Sequence, residues 1–235
     1  MCFGHQSVGA NLMNGLAALG RGRLNIVEGA TPQKCKGPVF AHFRVGQNGD
    51  PLSKIRDFAS VMNAGMGECI DVAFFKLCYV DITALTDVDD LFDAYRNVMD
   101  SLVQAYPAVT FLHVTAPLRR IDDRFLNRIR VKCGVVDLER KGQRIRHTYN
   151  QLLRSRYGAS GRLFDLAAEE ATNMDGSSAV FQYFGQPIPN LVSEYTDDGG
   201  HLNKPAAERI ACRLLDFVSS AAEVRGIHGG REVLP

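Results

Sequence analysis

Charge of one sign is the first thing this 235-residue chain lacks: 27 Lys and Arg stand against 26 Asp and Glu. A nucleic-acid-binding domain usually carries a marked basic excess, so that partner class is not expected. No apolar run approaches the roughly 18 residues of a transmembrane helix. No charged-then-apolar leader precedes the first motif either. The six cysteines are scattered, with no C-x-x-C pair and no His at zinc spacing, which argues against a structural zinc site. Neither G-x-G-x-x-G nor G-x-x-x-x-G-K-[ST] occurs, so a nucleotide-binding reading has little to rest on.

What is present is an ordinary globular composition, 46% hydrophobic, with material for a sizeable core. Several cysteines fall inside apolar periodic segments, where reduced, buried thiols are expected. A local basic stretch from Arg119 to Arg156 is interleaved with Asp122, Asp123, Asp137 and Glu139. It reads as solvated helix faces, with a patch for an anionic ligand as the alternative.

Helix-period and strand-like segments alternate along the chain. Val8, Leu12, Leu16 and Leu19 recur at spacings of three and four, which predicts a helix from Ser7 to Leu19, stopped by Gly20. Leu24 to Val27 is a short strand candidate, and Gly29 to Pro51 reads as a long polar loop. Pro51 opens a helix to about Asn63, at a position where its missing N–H is not needed. The run "DVAFFKLCYV", Asp71 to Val80, is nearly all apolar, as a strand buried on both faces requires. A helix with an acidic first turn is expected over Asp87 to Tyr106. Val109 to Val114 is the next strand, Glu139 to Tyr157 a helix, and Arg162 to Leu166 a fifth strand. A loop-rich stretch from Asn173 to Thr196 leads to "DDGGHLN" and a last helix from Pro205 to about Val224.

Such alternation specifies a three-layer α/β/α sandwich with a mostly parallel sheet of about five strands, flavodoxin-like in plan. One domain over residues 1–225 and a flexible tail over 226–235 are expected.

Three segments could carry chemistry. In "FGHQSVG", Phe3 to Gly9, a serine stands between a strand and a helix. The free N–H groups of a first helical turn can stabilise an oxyanion formed by that serine. The plain alternative is that Ser7 caps the helix. In "VGQNGDPLSK", Val45 to Lys54, Gly46 and Gly49 bracket Asn48 just before a helix, as backbone donors near a ligand or as a simple turn. In "DDGGHLN", Asp198 precedes His201 by three residues, close enough for a carboxylate to orient an imidazole base. An exposed histidine on a glycine turn would look the same. No second His or Cys lies near, so metal binding is not expected.

Taken in order, these blocks resemble a divergent branch of the SGNH, or GDSL-type, hydrolase superfamily. The resemblance implies a serine hydrolase acting on an acyl ester or a carbohydrate O-acetyl ester, with no cofactor and no metal. Ser7 matches the nucleophile, Asp198 and His201 the Asp-x-x-His block, and Gly49 the second-block glycine, with Gly46 as fallback. The third block, normally Gly-x-Asn-Asp, aligns with Cys78-Tyr79-Val80-Asp81. Its oxyanion asparagine therefore falls on Val80, which has no donor, and removing such a donor costs on the order of 10²–10³ in rate. Tyr79, Lys76, Gln6 and Asn48 are candidates to replace it. Lys76, interrupting an apolar strand, also reads as a snorkelling or ion-paired lysine, with Asp81 as a partner. A non-catalytic carbohydrate- or ligand-binding module on a degenerate fold is the competing function. The segments 29–50 and 173–196 are candidates for a substrate rim, with Tyr183, Phe184 and Tyr195 able to stack on a sugar. Only Met1 to Phe3 precede Gly4, so a fuller first strand upstream is expected, with which a secretory leader would be compatible. The compartment and the oligomeric state are not legible.

Overall fold

Cys2 and Phe3 are neighbours in sequence but belong to different cores, and so do Phe74 and Phe75. Successive strand residues point to opposite faces, so a strand apolar on both must be covered on both. The computed structural model describes residues 1–20, 24–35, 37–122 and 137–223, and within them that is the arrangement.

In chain order the elements are β1 (Cys2–His5), α1 (Ser7–Gly20), β2 (Ile26–Glu28), β3 (Phe40–Arg44), α2 (Pro51–Asn63), β4 (Val72–Phe75) and α3 (Val88–Ala105). There follow β5 (Thr110–Phe111), β6 (His113–Val114), α4 (Leu138–Tyr157), β7 (Leu163–Phe164) and α5 (Leu166–Ala171). A hairpin of β8 (Val180–Tyr183) and β9 (Gln186–Pro189) precedes α6 (Lys204–Glu223). The main sheet has the order β2-β3-β1-β4-β5, with every pair parallel. β1 is thus the central strand.

One face is covered by α2, α3 and α4 through Ile55, Phe58, Leu91, Tyr95, Met99, Tyr149 and Leu153. The other is covered by α1 and α6 through Val8, Leu12, Leu16, Ile210 and Leu214. α1 and α6 pack so closely that a Cβ on Gly15 would stand 2.5 Å from the Ala207 carbonyl oxygen. The helix starts follow local chemistry. Asp50 caps α2, its carboxylate accepting from Ser53 N at 2.9 Å, with Pro51 at the first helical position.

The sandwich expected from the sequence is present, with several differences of detail. The stretch 29–51 is not a loop throughout, because it holds β3, paired between β2 and β1. Its five residues are too short to outweigh the Gly- and Pro-rich flanks in a sequence pattern. The expected strand Val109 to Val114 divides at Leu112. Leu112 N still donates to Ala73 O on β4, while His113 N donates to Arg162 O beside β7. The segment changes partners there, and the ladder breaks. The stretch 173–196 contains the β8–β9 hairpin rather than loop alone.

The basic stretch is not all solvated surface either. Arg140 and Arg146 are buried: Arg140 donates to the Gln182 and Asp122 carbonyls and pairs with Asp137, and Arg146 donates to Gln143 and to the Tyr79 carbonyl. Tyr195 is core, its hydroxyl donating to Thr172 O, and so is not available to stack on a sugar. Phe184 is exposed at the hairpin tip, with Tyr183 beside it. Cys2, Cys35 and Cys78 are free and buried, whereas Cys69 and Cys212 are free and exposed. Cys133 and the expected tail over 226–235 lie outside the described residues. Among those residues no helix is long and apolar enough to cross a membrane.

His113 gives this core a pH signature. It is buried between Tyr95, whose hydroxyl lies 2.8 Å from Nδ1, and Tyr157, stacked at 3.5 Å between ring centroids. Burial pushes its pKa down to about 3, with Arg162 and Arg156 adding to the effect. The unfolded chain takes up this proton near the ordinary 6.5, while the folded chain keeps the ring neutral. Stability is therefore full above pH 6.5 and falls as pH drops towards the native value. The urea midpoint should decline between pH 7 and 4, and less steeply in His113→Phe. Parallel profiles for the two proteins would refute the assignment.

Candidate active site

β1 ends at His5 and α1 begins at Ser7, so the serine leaves the carboxyl end of the central strand on the first turn of a helix. Open α/β sheets gather ligands at that end. The first helical bond runs from Ala10 N to Gln6 O at 2.9 Å, which gives the capping place to Gln6 and not to Ser7. Neither Ser7 Oγ nor Ser7 N is hydrogen-bonded among the described residues.

His5, two residues earlier, has a structural task. Nδ1 lies 2.9 Å from Gln6 O and Nε2 lies 3.0 Å from His42 Nδ1. A carbonyl can only accept, so Nδ1 carries the proton and Nε2 accepts from His42. Burial pushes the His5 pKa down to about 4, with the nearby Lys76 among the lesser causes in the same direction. It remains neutral and pins strand β1 to β3.

The second loop is bound to the first. Gln6 Nε2 donates to Val45 O at 3.0 Å and to Gly46 O at 2.9 Å, so its amide protons are occupied and it is not the missing oxyanion donor. Gly49 has a positive φ of 84°, and its N–H donates to Asp81 Oδ1 at 2.9 Å. The expectation that this N–H faces a substrate oxyanion is therefore not met in this geometry. Asp81 is the hub of the site. Besides Gly49 it accepts from Cys78 N at 2.6 Å and from Lys54 Nζ at 2.6 Å, and the Lys54–Asp81 pair is fully enclosed. Lys54 Nζ also donates to Asn48 Oδ1 at 2.9 Å. That bond fixes the amide, leaving Nδ2 of this exposed residue as the free donor.

The third part is the dyad. Asp198 Oδ2 meets His201 Nδ1 at 2.5 Å, while Oδ1 accepts from Gly200 N and His201 N, both at 2.8 Å. These bonds, chiefly those from His201, hold the Asp198 carboxyl well below the usual carboxylate range. A carboxylate on Nδ1 puts the ring proton there and leaves Nε2 bare as an acceptor. Among the described residues that nitrogen's hydrogen-bond contact is Tyr79 Oη at 3.4 Å, a long one. The ring of Tyr79 lies so near the glycine turn that a Cβ on Gly200 would stand 2.8 Å from its hydroxyl.

Topology brings these parts to one end of the molecule. Gly4 pairs with Phe75, so Ser7 and Tyr79 follow the carboxyl ends of adjacent strands. Gly15 meets Ala207, and Asn11 shares a cavity with Leu202, so α1 and α6 start at the same end. Ser7 Oγ and His201 are not hydrogen-bonded to each other, a geometry often loose without substrate. Lys76 is placed differently from expectation. It is buried, and among the described residues its ammonium lies 3.4 Å from Leu77 O and 3.8 Å from Cys78 Sγ and interacts electrostatically with the buried Glu170, while Asp81 pairs with Lys54. Val80, where the third block would have asparagine, is 39% exposed.

Sequence reasoning missed Lys54, Asp81 as a hub, and Arg119 and Arg146 around Tyr79. One signal for Lys54 was available: it stands four residues before Phe58, on the apolar stripe of α2. Among the described residues no cluster of three or more His, Cys, Asp or Glu could hold a metal ion.

A scan against protein-family models finds no match, and a search of the curated proteins finds none. Solved structures do match. A structure from Streptococcus pneumonia described as a candidate platelet activating factor aligns at a TM-score of 0.53 and 15% identity, over 92% of this chain and 82% of that one. An acetyl xylan esterase, AlAXEase, aligns at a TM-score of 0.51 and 16% identity, over 92% of this chain and 98% of the other. At such identities the likeness is one of fold.

Proposed function

We propose that this chain hydrolyses esters, with Ser7 as nucleophile, His201 as general base and acid, and Asp198 as the residue that orients it. The observation that carries the reading is the Asp198–His201 pair. Its bare Nε2 stands at the end of the sheet where the uncapped Ser7 leaves the central strand. Ser7 Oγ attacks the acyl carbonyl as its proton passes to Nε2, and the imidazolium then gives that proton to the departing alcohol. Water, deprotonated by the same nitrogen, splits the acyl-enzyme into acid and free serine.

The oxyanion is held by Ser7 N–H, free at the helix start, and by Asn48 Nδ2 in place of the donor that Val80 lacks. Tyr79 Oη gives way to Ser7 Oγ at Nε2 when substrate closes the gap. The fold likeness to an acetyl xylan esterase supports O-acetyl esters of carbohydrates as a substrate class.

A second reading, a non-catalytic binding module, is favoured by two details: Val80 in the asparagine position, and Ser7 Oγ with no bond to His201. The test is a fluorophosphonate probe with 4-nitrophenyl acetate turnover. A covalent adduct mapped to Ser7, together with turnover, is expected. A probe that labels nothing, with no turnover, would leave the binding module as the better account.

A further inference from the structure

Beside the dyad lies a cavity of about 350 Å³ whose lining includes Tyr79, Leu85, Arg119, Leu138, Arg146 and one carboxylate, Glu139. Tyr79 touches both, its hydroxyl 3.4 Å from His201 Nε2. The Arg119 guanidinium sits 5.3 Å from the centre of the same ring. The cavity is thus one aromatic ring away from the reacting nitrogen.

The two arginines differ in what they have left to give. Every nitrogen of Arg146 is engaged. Nε and Nη2 donate to Gln143 Oε1, and Nη1 donates to Tyr79 O and Ile82 O, so it braces the turn that carries Tyr79. That is not so of Arg119. Its Nε is enclosed without a partner among the described residues, and its ion pair is with Glu139, 3.2 Å from Nη1. Its backbone is held on both sides, the N–H by Gln143 Oε1 and the carbonyl by Leu191 N. Glu139 is 58% exposed, and a pair so placed is worth little and is readily exchanged. What a ligand can reach is the Nη end, now shared with a solvent-exposed carboxylate, and a guanidinium is shaped for a carboxylate.

The rim adds the second half of the argument. Leu85 is 88% exposed and Leu138 62%, and both line the cavity together with Val80. Exposed apolar side chains around a fixed cation match a short carbon chain that ends in an anion.

We propose that this cavity receives the carboxylate of the substrate, so that the preferred esters carry a carboxylate on their acyl or alcohol part, paired with Arg119. The inference rests on the hydrolase reading. Acetylated acidic sugars belong to the alcohol-side class and half-esters of dicarboxylic acids to the acyl-side class.

The test compares kcat/KM for two matched pairs: mono(4-nitrophenyl) glutarate against 4-nitrophenyl valerate, and 4-acetoxybenzoate against phenyl acetate. In at least one pair the charged ester should be favoured about 10-fold or more, and the pair identifies the side that bears the anion. Arg119→Gln should lower that charged-to-neutral ratio by about 10- to 100-fold, the range of a charged hydrogen bond. No preference in either pair, or an unchanged ratio in the variant, overturns the inference while turnover itself keeps the hydrolase reading. Were no ester turned over, calorimetry on Ser7→Ala with monomethyl glutarate and 4-acetoxybenzoate decides separately. Binding that Arg119→Gln abolishes sustains the anion site alone, and no binding overturns it.

Discussion

Replacing Ser7 by alanine is expected to lower kcat for a short-chain acyl ester by about 10⁴-fold or more, and His201→Ala by a comparable factor. The two side chains act on one proton and one bond, so the effects should not add. The double variant should be no slower than the worse single one. Asp198→Asn should cost about 10⁴-fold, because an amide that donates to Nδ1 selects the wrong tautomer. The carboxylate is held in its charged form by two backbone N–H groups as well as the imidazole, so this loss should persist across the working pH range. Single-turnover kinetics on the four variants would check the scheme. A Ser7→Ala protein as fast as wild type would remove Ser7 from it. Strict additivity in the double variant would mean that serine and histidine do not share a proton.

The second large effect is on stability. Lys54 and Asp81 form an enclosed pair at 2.6 Å. Exchanging Lys54 for methionine leaves a buried carboxylate without its cation, for which a loss of about 3–5 kcal/mol in unfolding free energy is expected. Adding Asp81→Asn should recover part of that loss, since the neutral amide oxygen still accepts from Cys78 N or Gly49 N without carrying a buried charge. Urea unfolding of the two single variants and the double variant gives the coupling directly. Additive losses would show that the pair is not a coupled unit. In Lys54→Met Asn48 also loses its anchor, so residual activity should fall mainly in kcat, as expected for a donor that acts on the transition state.

Much of this was legible along the chain. Apolar runs such as Asp71 to Phe75 can only be buried on both faces, which dictates a parallel sheet between two helical layers. Pro51 after Asp50, and the acidic first turn of α3, mark helix starts by chemistry that is local to a few residues. The Asp198–His201 contact was legible for the same reason, since three residues on a glycine turn bring the two side chains together.

What spans distance was not legible. β3 is a strand only because β1 and β2 stand on either side of it, and residues 109–114 divide because β4 and β7 each claim half. That Gln6 rather than Ser7 takes the cap was settled by where the Val45 and Gly46 carbonyls lie. Lys54 stood only as the end of the second block, and Asp81 as the end of the third and a partner for Lys76, until the fold put the two in contact. Local sequence fixes which backbone conformations are cheap and which faces must be buried. Which buried charge meets which partner is a matter of position in space, and only the assembled sheet and its helices decide it.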